Sequence, residues 1–339
     1  MKKYILFGLM TVFTMTLLGC SKGEESKENS LTQKNVNTTT ASITKTSENN
    51  TLGSKRNIAL VMKTLTNPFF IEMEKGARKA ESELDIKLSV KTGAKETSID
   101  QQIAIVDELI NSKVDAIVIA PGSSTELIPV LKKAQDNKIQ IVNIDNKLDV
   151  EMSKKLGLAN VPFISVNNEE GAYLCAKYLS EKINKPTKLA ILEGIRGADN
   201  AEQRKNGALR AFKENKNIQI VASEAANWKI DEALDVTTKL FSKIPDITAI
   251  FCANDMMALG AVQYMDKNKK KDVLIVGYDA LEEARKAIGE GRMLATVNQQ
   301  ADVQGYTGVK YAFEMLEGKK EPLETLIKTK VIDASNLGQ

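Results

Sequence analysis

The sequence predicts an α/β fold of two doubly wound lobes, each a parallel sheet with helices on both faces. Three observations predict it. Apolar runs and helical patterns alternate from Asn57 onward. Many runs are continuously apolar, as in Asn57-Ile58-Ala59-Leu60-Val61-Met62, which suits parallel strands covered on both faces. The pattern then starts afresh at Lys188-Leu189-Ala190-Ile191-Leu192, after a short strand near Phe163. Right-handed crossovers put the helices on both sides of such sheets. A single (β/α)8 barrel of about 250 residues alternates in the same way, so periodicity alone leaves that alternative open.

Strand signals fall at 57–62, 86–91, 115–119, 139–144, 187–192, 218–222, 247–252 and 272–277, with shorter ones near 163–166 and 293–297. Helical spacing places Phe69, Met73, Gly76, Ala77, Ala80 and Leu84 on one face of a first helix. Asn67 suits its N-cap and Pro68 its first position. Phe69 lies on the apolar stripe and is expected in the core, whereas Phe70 is off it. A second helix begins near Ser98, with Ile103, Val106, Leu109 and Ile110 as its stripe. Asp255 is expected to cap a helix that starts at Met256.

The first residues carry an export signal. Met1-Lys2-Lys3 is a positive start, and the apolar stretch from Tyr4 to Leu18 is shorter than the roughly 20 residues of a spanning helix. Leu17-Leu18-Gly19-Cys20 resembles a bacterial lipobox, which implies a signal peptide over 1–19 and lipid on Cys20. Lipid chains there would anchor the exported protein to a bacterial membrane without spanning it, in the periplasm or on the outer face of the cell membrane. Residues 20–54 are rich in Ser, Thr, Asn, Lys and Glu, and are expected to form a disordered tether.

Composition narrows the chemistry. With 339 residues, 42% of them apolar, the chain can bury a sizeable core. Its 47 Lys and Arg nearly balance 44 Asp and Glu, and no basic block with interleaved aromatics speaks for nucleic acid. The absence of histidine excludes a Ser-His-Asp triad and removes the commonest metal ligand. No cofactor motif or metal constellation stands out, and neither a cofactor nor a metal is expected. Cys175 and Cys252 are expected as buried free thiols, although export would permit a disulfide.

Polar and aromatic residues follow the apolar runs. Lys63, Asn67 and Phe70 follow the first, Asp145 follows Ile139 to Ile144, Asn254 follows Ile250 to Ala253, and Asp279 follows Val273 to Tyr278. Ligands of open α/β sheets sit outside the carboxyl ends of the strands, so these residues could converge on one cleft. Planar polar groups with aromatic faces suit a small polar ligand such as a sugar.

Several motifs then occur in one order: Val61-Met62-Lys63-Thr64-Leu65-Thr66-Asn67-Pro68-Phe69-Phe70, Val142-Asn143-Ile144-Asp145, Arg204-Lys205-Asn206-Gly207, Ala226-Asn227-Trp228, Cys252-Ala253-Asn254-Asp255, Val276-Gly277-Tyr278-Asp279 and Ala295-Thr296-Val297-Asn298-Gln299. With them, Asn57 to about Ile332 resembles the type I periplasmic sugar-binding proteins, the ribose-binding protein family, and most of all its allose-binding members. The resemblance implies two lobes joined by three crossings, one of 55–160 plus 300–327 and the other of 161–299 plus 328–339. It implies a monosaccharide between the lobes, delivery to an ABC transporter permease, and no enzymatic activity. The chain is expected to be monomeric.

The implied ligand residues are Lys63, Asn67, Phe70, Asp145, Arg204, Trp228, Asn254, Asp279 and Gln299. Asp145 and Asp279 would accept hydroxyl protons, Arg204 would donate a fork of N–H bonds, and Asn254 and Gln299 could do both. Phe70 and Trp228, the one tryptophan, would cover the ring faces. Two departures bear on ligand identity. Allose-binding members have Glu and ribose-binding members Arg where Asn146 stands, and members of the family have Trp in place of Phe70. Lys63, able to donate to an extra hydroxyl, favours a D-allose-like hexose over ribose or another polyol. Other classes fit less well. A glycosidase would use Asp145 and Asp279 as a carboxylate pair. A lactose-repressor-type regulator needs an N-terminal helix-turn-helix where this chain has a signal and tether. A chemoreceptor's sugar sensor would have the same sequence features as an importer.

Overall fold

The structure, a computed structural model, describes residues 55–338. The expected signal peptide, Cys20 and the tether lie outside the described residues. The first elements are β1 (Asn57–Met62), α1 (Pro68–Leu84), β2 (Lys87–Thr92), α2 (Ile99–Asn111), β3 (Ala116–Ile119), α3 (Ile128–Asp136), β4 (Gln140–Ile144), α4 (Val150–Leu156) and β5 (Phe163–Val166). There follow α5 (Asn168–Glu181), β6 (Thr187–Glu193), α6 (Asp199–Lys213), β7 (Ile218–Ala225), α7 (Ile230–Lys243), β8 (Ile247–Cys252) and α8 (Asp255–Lys267). The chain closes with β9 (Leu274–Val276), α9 (Glu282–Gly289), β10 (Ala295–Asn298), α10 (Ala301–Leu316), β11 (Glu324–Ile327) and β12 (Lys330–Asp333).

The strands form two open six-stranded sheets, ordered β11-β5-β4-β3-β1-β2 and β12-β10-β9-β8-β6-β7. Open sheets replace the barrel alternative. Pairing is parallel throughout except for β12, which runs antiparallel to β10. Sheet order reverses between β1 and β3 in one lobe and between β6 and β8 in the other. These are the switch points where ligands gather.

One boundary differs from the sequence expectation. The expected boundary puts β5 in the second lobe, within 161–299, but it pairs with β4 and β11 in the first sheet. The chain crosses after Val166 and enters α5 at Asn168. Two further crossings follow, between β10 and α10 and between β11 and β12.

Burial on both faces explains the continuous apolar runs. In β1, Ile58, Leu60 and Met62 join the layer that contains α1 and α10, while Ala59 and Val61 join the layer of α2 and α3. β3 divides in the same way, with Ala116 and Val118 on one side and Ile117 and Ile119 on the other. Helices α1 and α10 approach through glycines. A Cβ on Gly76 would stand 1.8 Å from the Asp302 carbonyl oxygen, and one on Gly305 would stand 2.0 Å from that of Met73. Cys175 and Cys252 are buried and free.

Candidate functional site

Residues past the carboxyl ends of β1, β4, β8, β9 and β10 meet around one cavity. Lys63, Asn67, Phe70, Asp145, Arg204, Trp228, Asn254, Asp279 and Gln299 all line it, so the structure brings together all nine expected ligand residues. Phe69, Glu96 and Asn200 line it as well. Phe69 is in the core as expected, yet it also reaches the cavity wall, edge-on to Phe70 at 5.1 Å between ring centroids.

The first lobe contributes a cation, two carboxyls and an amide. Lys63 Nζ lies 2.7 Å from Asp145 Oδ2 in a buried ion pair, and 5.7 Å from the centre of the Phe70 ring. Asn67 is held at both ends of its amide. Its Oδ1 accepts from the Phe69 N–H at 3.0 Å, capping α1, and its Nδ2 donates to Glu96 Oε1 at 2.9 Å. Burial pushes the Glu96 carboxyl above the ordinary range, against the pull of the Lys63 charge.

The second lobe is organised around Arg204 on α6. Its Nε donates to Asn168 Oδ1 at 2.8 Å, Nη1 to the Ala253 carbonyl at 2.9 Å and Nη2 to Gln299 Oε1 at 3.3 Å. Asp279 Oδ1 is 3.5 Å from Nη1 and accepts from Gln299 Nε2 at 2.6 Å. The guanidinium lies over Tyr278 at 3.8 Å and over Trp228 at 5.4 Å. Burial raises Asp279 well above its ordinary value, and Arg204 opposes the shift. A buried ion pair offsets its desolvation only with further hydrogen bonds; here Arg204 donates three and Asp279 accepts one, from Gln299.

Backbone conformation aims three of these side chains. Asp145, Trp228 and Asp279 adopt positive φ, at 64°, 66° and 129°. Non-glycine residues held this way cluster at binding sites because the surrounding structure must impose the strain. Trp228 needs a glycine beside it as well, since a Cβ on Gly194 would meet the indole at 2.0 Å.

The helix after β8 starts one residue earlier than expected. Asn254 is the cap of α8, its Oδ1 accepting from the Met257 N–H at 2.9 Å, while its Nδ2 donates to the Trp228 carbonyl at 3.3 Å. Asp255, expected as the cap, is instead the first helical residue and fully buried. Its carboxylate accepts from Thr296 Oγ1 at 2.6 Å and from the Leu281 N–H at 2.9 Å. It thereby ties β10 and the loop after β9 to α8, behind Asp279. Burial raises it to about 6.

Glu96 and Asn200 escaped the sequence reading for different reasons. Glu96 follows β2, whose sequence Lys-Leu-Ser-Val-Lys-Thr is not an apolar run. Asn200 is on a helix rather than past a strand. Its signal was its position four residues before Arg204, which puts both on one face of α6.

The cavity among these side chains has a volume of about 20 Å³. That admits about one water, so a larger guest enters only if lobes or side chains part. Amides that donate and accept, carboxylates, two cations and aromatic faces make a wall suited to a small polyhydroxylated molecule.

Two parallel α/β lobes around a buried polar cavity define a cleft-type ligand-binding protein. The chain belongs to the family of the periplasmic binding protein domain, whose model matches residues 58–320. It is 38% identical over 270 residues to the D-ribose/D-allose-binding protein of Pseudomonas aeruginosa, covering 78% of this chain and 83% of that protein. It is 35% identical over 279 residues to the D-allose-binding periplasmic protein of Escherichia coli K12, covering 81% and 90%. Among solved structures, an ABC transporter periplasmic solute-binding protein of Actinobacillus succinogenes with bound D-allose superposes with a TM-score of 0.79 at 39% identity. That match covers 84% of this chain and 99% of the other.

Proposed function

We propose that this chain is the substrate-binding component of an ABC sugar importer, and that it binds a monosaccharide in the cavity between its lobes. A D-allose-like hexose is the favoured ligand and ribose the second. One observation carries the reading: the nine residues that strand-end position and the family resemblance imply as ligand contacts all line one buried cavity. The relatives support it, since two are named for D-allose and a similar structure contains that sugar. In this reading Asp145 and Asp279 accept hydroxyl protons, Lys63 and Arg204 donate, and the amides of Asn67, Asn254 and Gln299 complete the rim. Trp228 and Phe70 cover the ring faces.

The test is a thermal-shift screen of free aldohexoses, pentoses and polyols. A ligand at about 1,000 times its Kd stabilises the folded state by roughly 4 kcal/mol. D-allose should raise the melting temperature most. A screen in which no sugar moves it would refute the proposal.

Export agrees with the family, and the finer placement rests on Cys20. Among the described residues no helix is long and apolar enough to cross a membrane. A lipid on Cys20 would supply the anchor, with 20–54 as a leash. Cys20→Ala should then release the exported chain into the soluble fraction; firm membrane attachment in that variant would refute lipidation.

A further inference from the structure

Asn200 is 2% exposed, and its Oδ1 has no hydrogen-bond partner within the protein. It lines the cavity beside Arg204, one turn further along α6. Its own lobe does not fully fix it. Ala198, which precedes α6, offers no side-chain cap. The first N–H groups of the helix are satisfied across the cleft: Asp199 N donates to Ser124 Oγ at 3.1 Å, and Asn200 N donates to Asn146 Oδ1 at 3.3 Å. Asn146 is itself held within the first lobe, its Nδ2 donating to the Pro121 carbonyl at 3.2 Å and to Ser124 Oγ at 3.3 Å.

We propose that Asn200 is a specificity-determining residue, whose Oδ1 accepts the proton of one ligand hydroxyl and whose position is completed by the cap that Asn146 supplies from the opposite lobe. The inference rests on the monosaccharide reading above. A buried carbonyl oxygen without a donor is costly, and a sugar hydroxyl is a donor of the right size. The indole Nε1 of Trp228, on the same cavity wall, also has no partner and can only donate. Asn200 Oδ1 and Asp145 Oδ2, the latter in its ion pair with Lys63, as open acceptors and Trp228 Nε1 as an open donor call for a guest whose groups do both, which is the property of hydroxyls. A sugar without a hydroxyl facing Asn200 would leave Oδ1 unpaired, and sites built to bond a hydroxyl reject such analogues steeply. Asn146 also adjoins Asp145 in sequence. The loop that carries one ligand carboxylate therefore carries the cap, so the approach of the lobes sets both.

The experiment is calorimetry of the full chain with D-allose, D-ribose and their monodeoxy derivatives, for wild type, Asn200→Ala, Asn200→Asp and Asn146→Ala. In wild type the deoxy sugar lacking the Asn200 partner should bind about tenfold or more weakly than its parent. Asn200→Ala should abolish that one penalty and leave those at other positions. Asn200→Asp, which keeps an acceptor, should retain it. Asn146→Ala should weaken the parent and all deoxy sugars by a common factor. If Asn200→Ala weakens every sugar equally, or binds all of them as wild type does, the specificity role is overturned while the monosaccharide reading stands. Wild-type affinities in Asn146→Ala would overturn the cross-lobe half. If wild type binds neither parent sugar, the assignment of D-allose or ribose as ligand fails, and this inference with it.

Discussion

Arg204 and Asp279 meet at 3.5 Å with both side chains 3% exposed, so each charge is tolerable because the other is there. Asp279→Asn keeps the shape but removes the charge-assisted acceptor. It should weaken sugar binding by about 2 kcal/mol, measured by calorimetry. Arg204→Ala should do more, because the guanidinium also holds Asn168, the Ala253 carbonyl and Gln299. It should cost about 3 kcal/mol of stability besides affinity, read from urea unfolding. Unchanged affinity in Asp279→Asn would remove that carboxylate from the site. Asp255 gives a pH prediction. Its pKa is about 6 when folded, against an ordinary 3.8, so the folded state binds its proton over a range where the unfolded chain does not. Its contribution to stability is full below the unfolded value and is lost as pH rises through the folded one. Glu96 and Asp279 are raised in the same direction. Melts of the ligand-free protein between about pH 4 and pH 7 should show stability from this source falling with rising pH. Asp255→Asn should flatten that part of the profile; an unaltered slope would contradict the assignment.

The elements differ in how clearly the sequence marks them. β1, β3, β4, β6 and β8 are buried runs, and each was legible as such. β11 and β12 are short, half-exposed strands at the sheet edges, with no continuous apolar signal. β5 was legible as a strand but not as a partner of β4, because a four-residue apolar segment does not specify which sheet it joins. The same limit explains the site. Residues past apolar strands were legible from their position, and Arg204, Trp228 and Gln299 only through the family resemblance, whereas Glu96 follows a polar edge strand and Asn200 depends on a helix face. Asp255 was misplaced because Asn254 and Asp255 are both good caps by residue type, and only the hydrogen bond to Met257 decides between them. Helix contacts also carry a prediction. Gly76→Ala would drive a Cβ against the Asp302 carbonyl and part α1 from α10. It should lower stability by about 1–3 kcal/mol, seen as a lower melting temperature; a neutral effect would mean that the helices separate without strain.

At the scale of the molecule, the cavity draws its wall from both lobes and has about 20 Å³ of free volume. A sugar of larger size must enter through a wider form and be enclosed by a closed one, and its differential affinity for the closed form drives that shift. In the conformation described, the cap on α6 also spans the two lobes. Small-angle scattering should give a smaller radius of gyration with saturating D-allose than without it, and an unchanged radius would contradict closure. The central claim is the binding itself, and the most direct measurement is isothermal titration of the purified chain with D-allose. A saturable one-site heat with micromolar affinity, about −8 kcal/mol, is the predicted result. No heat with D-allose, D-ribose or any other free aldose or polyol would contradict the account.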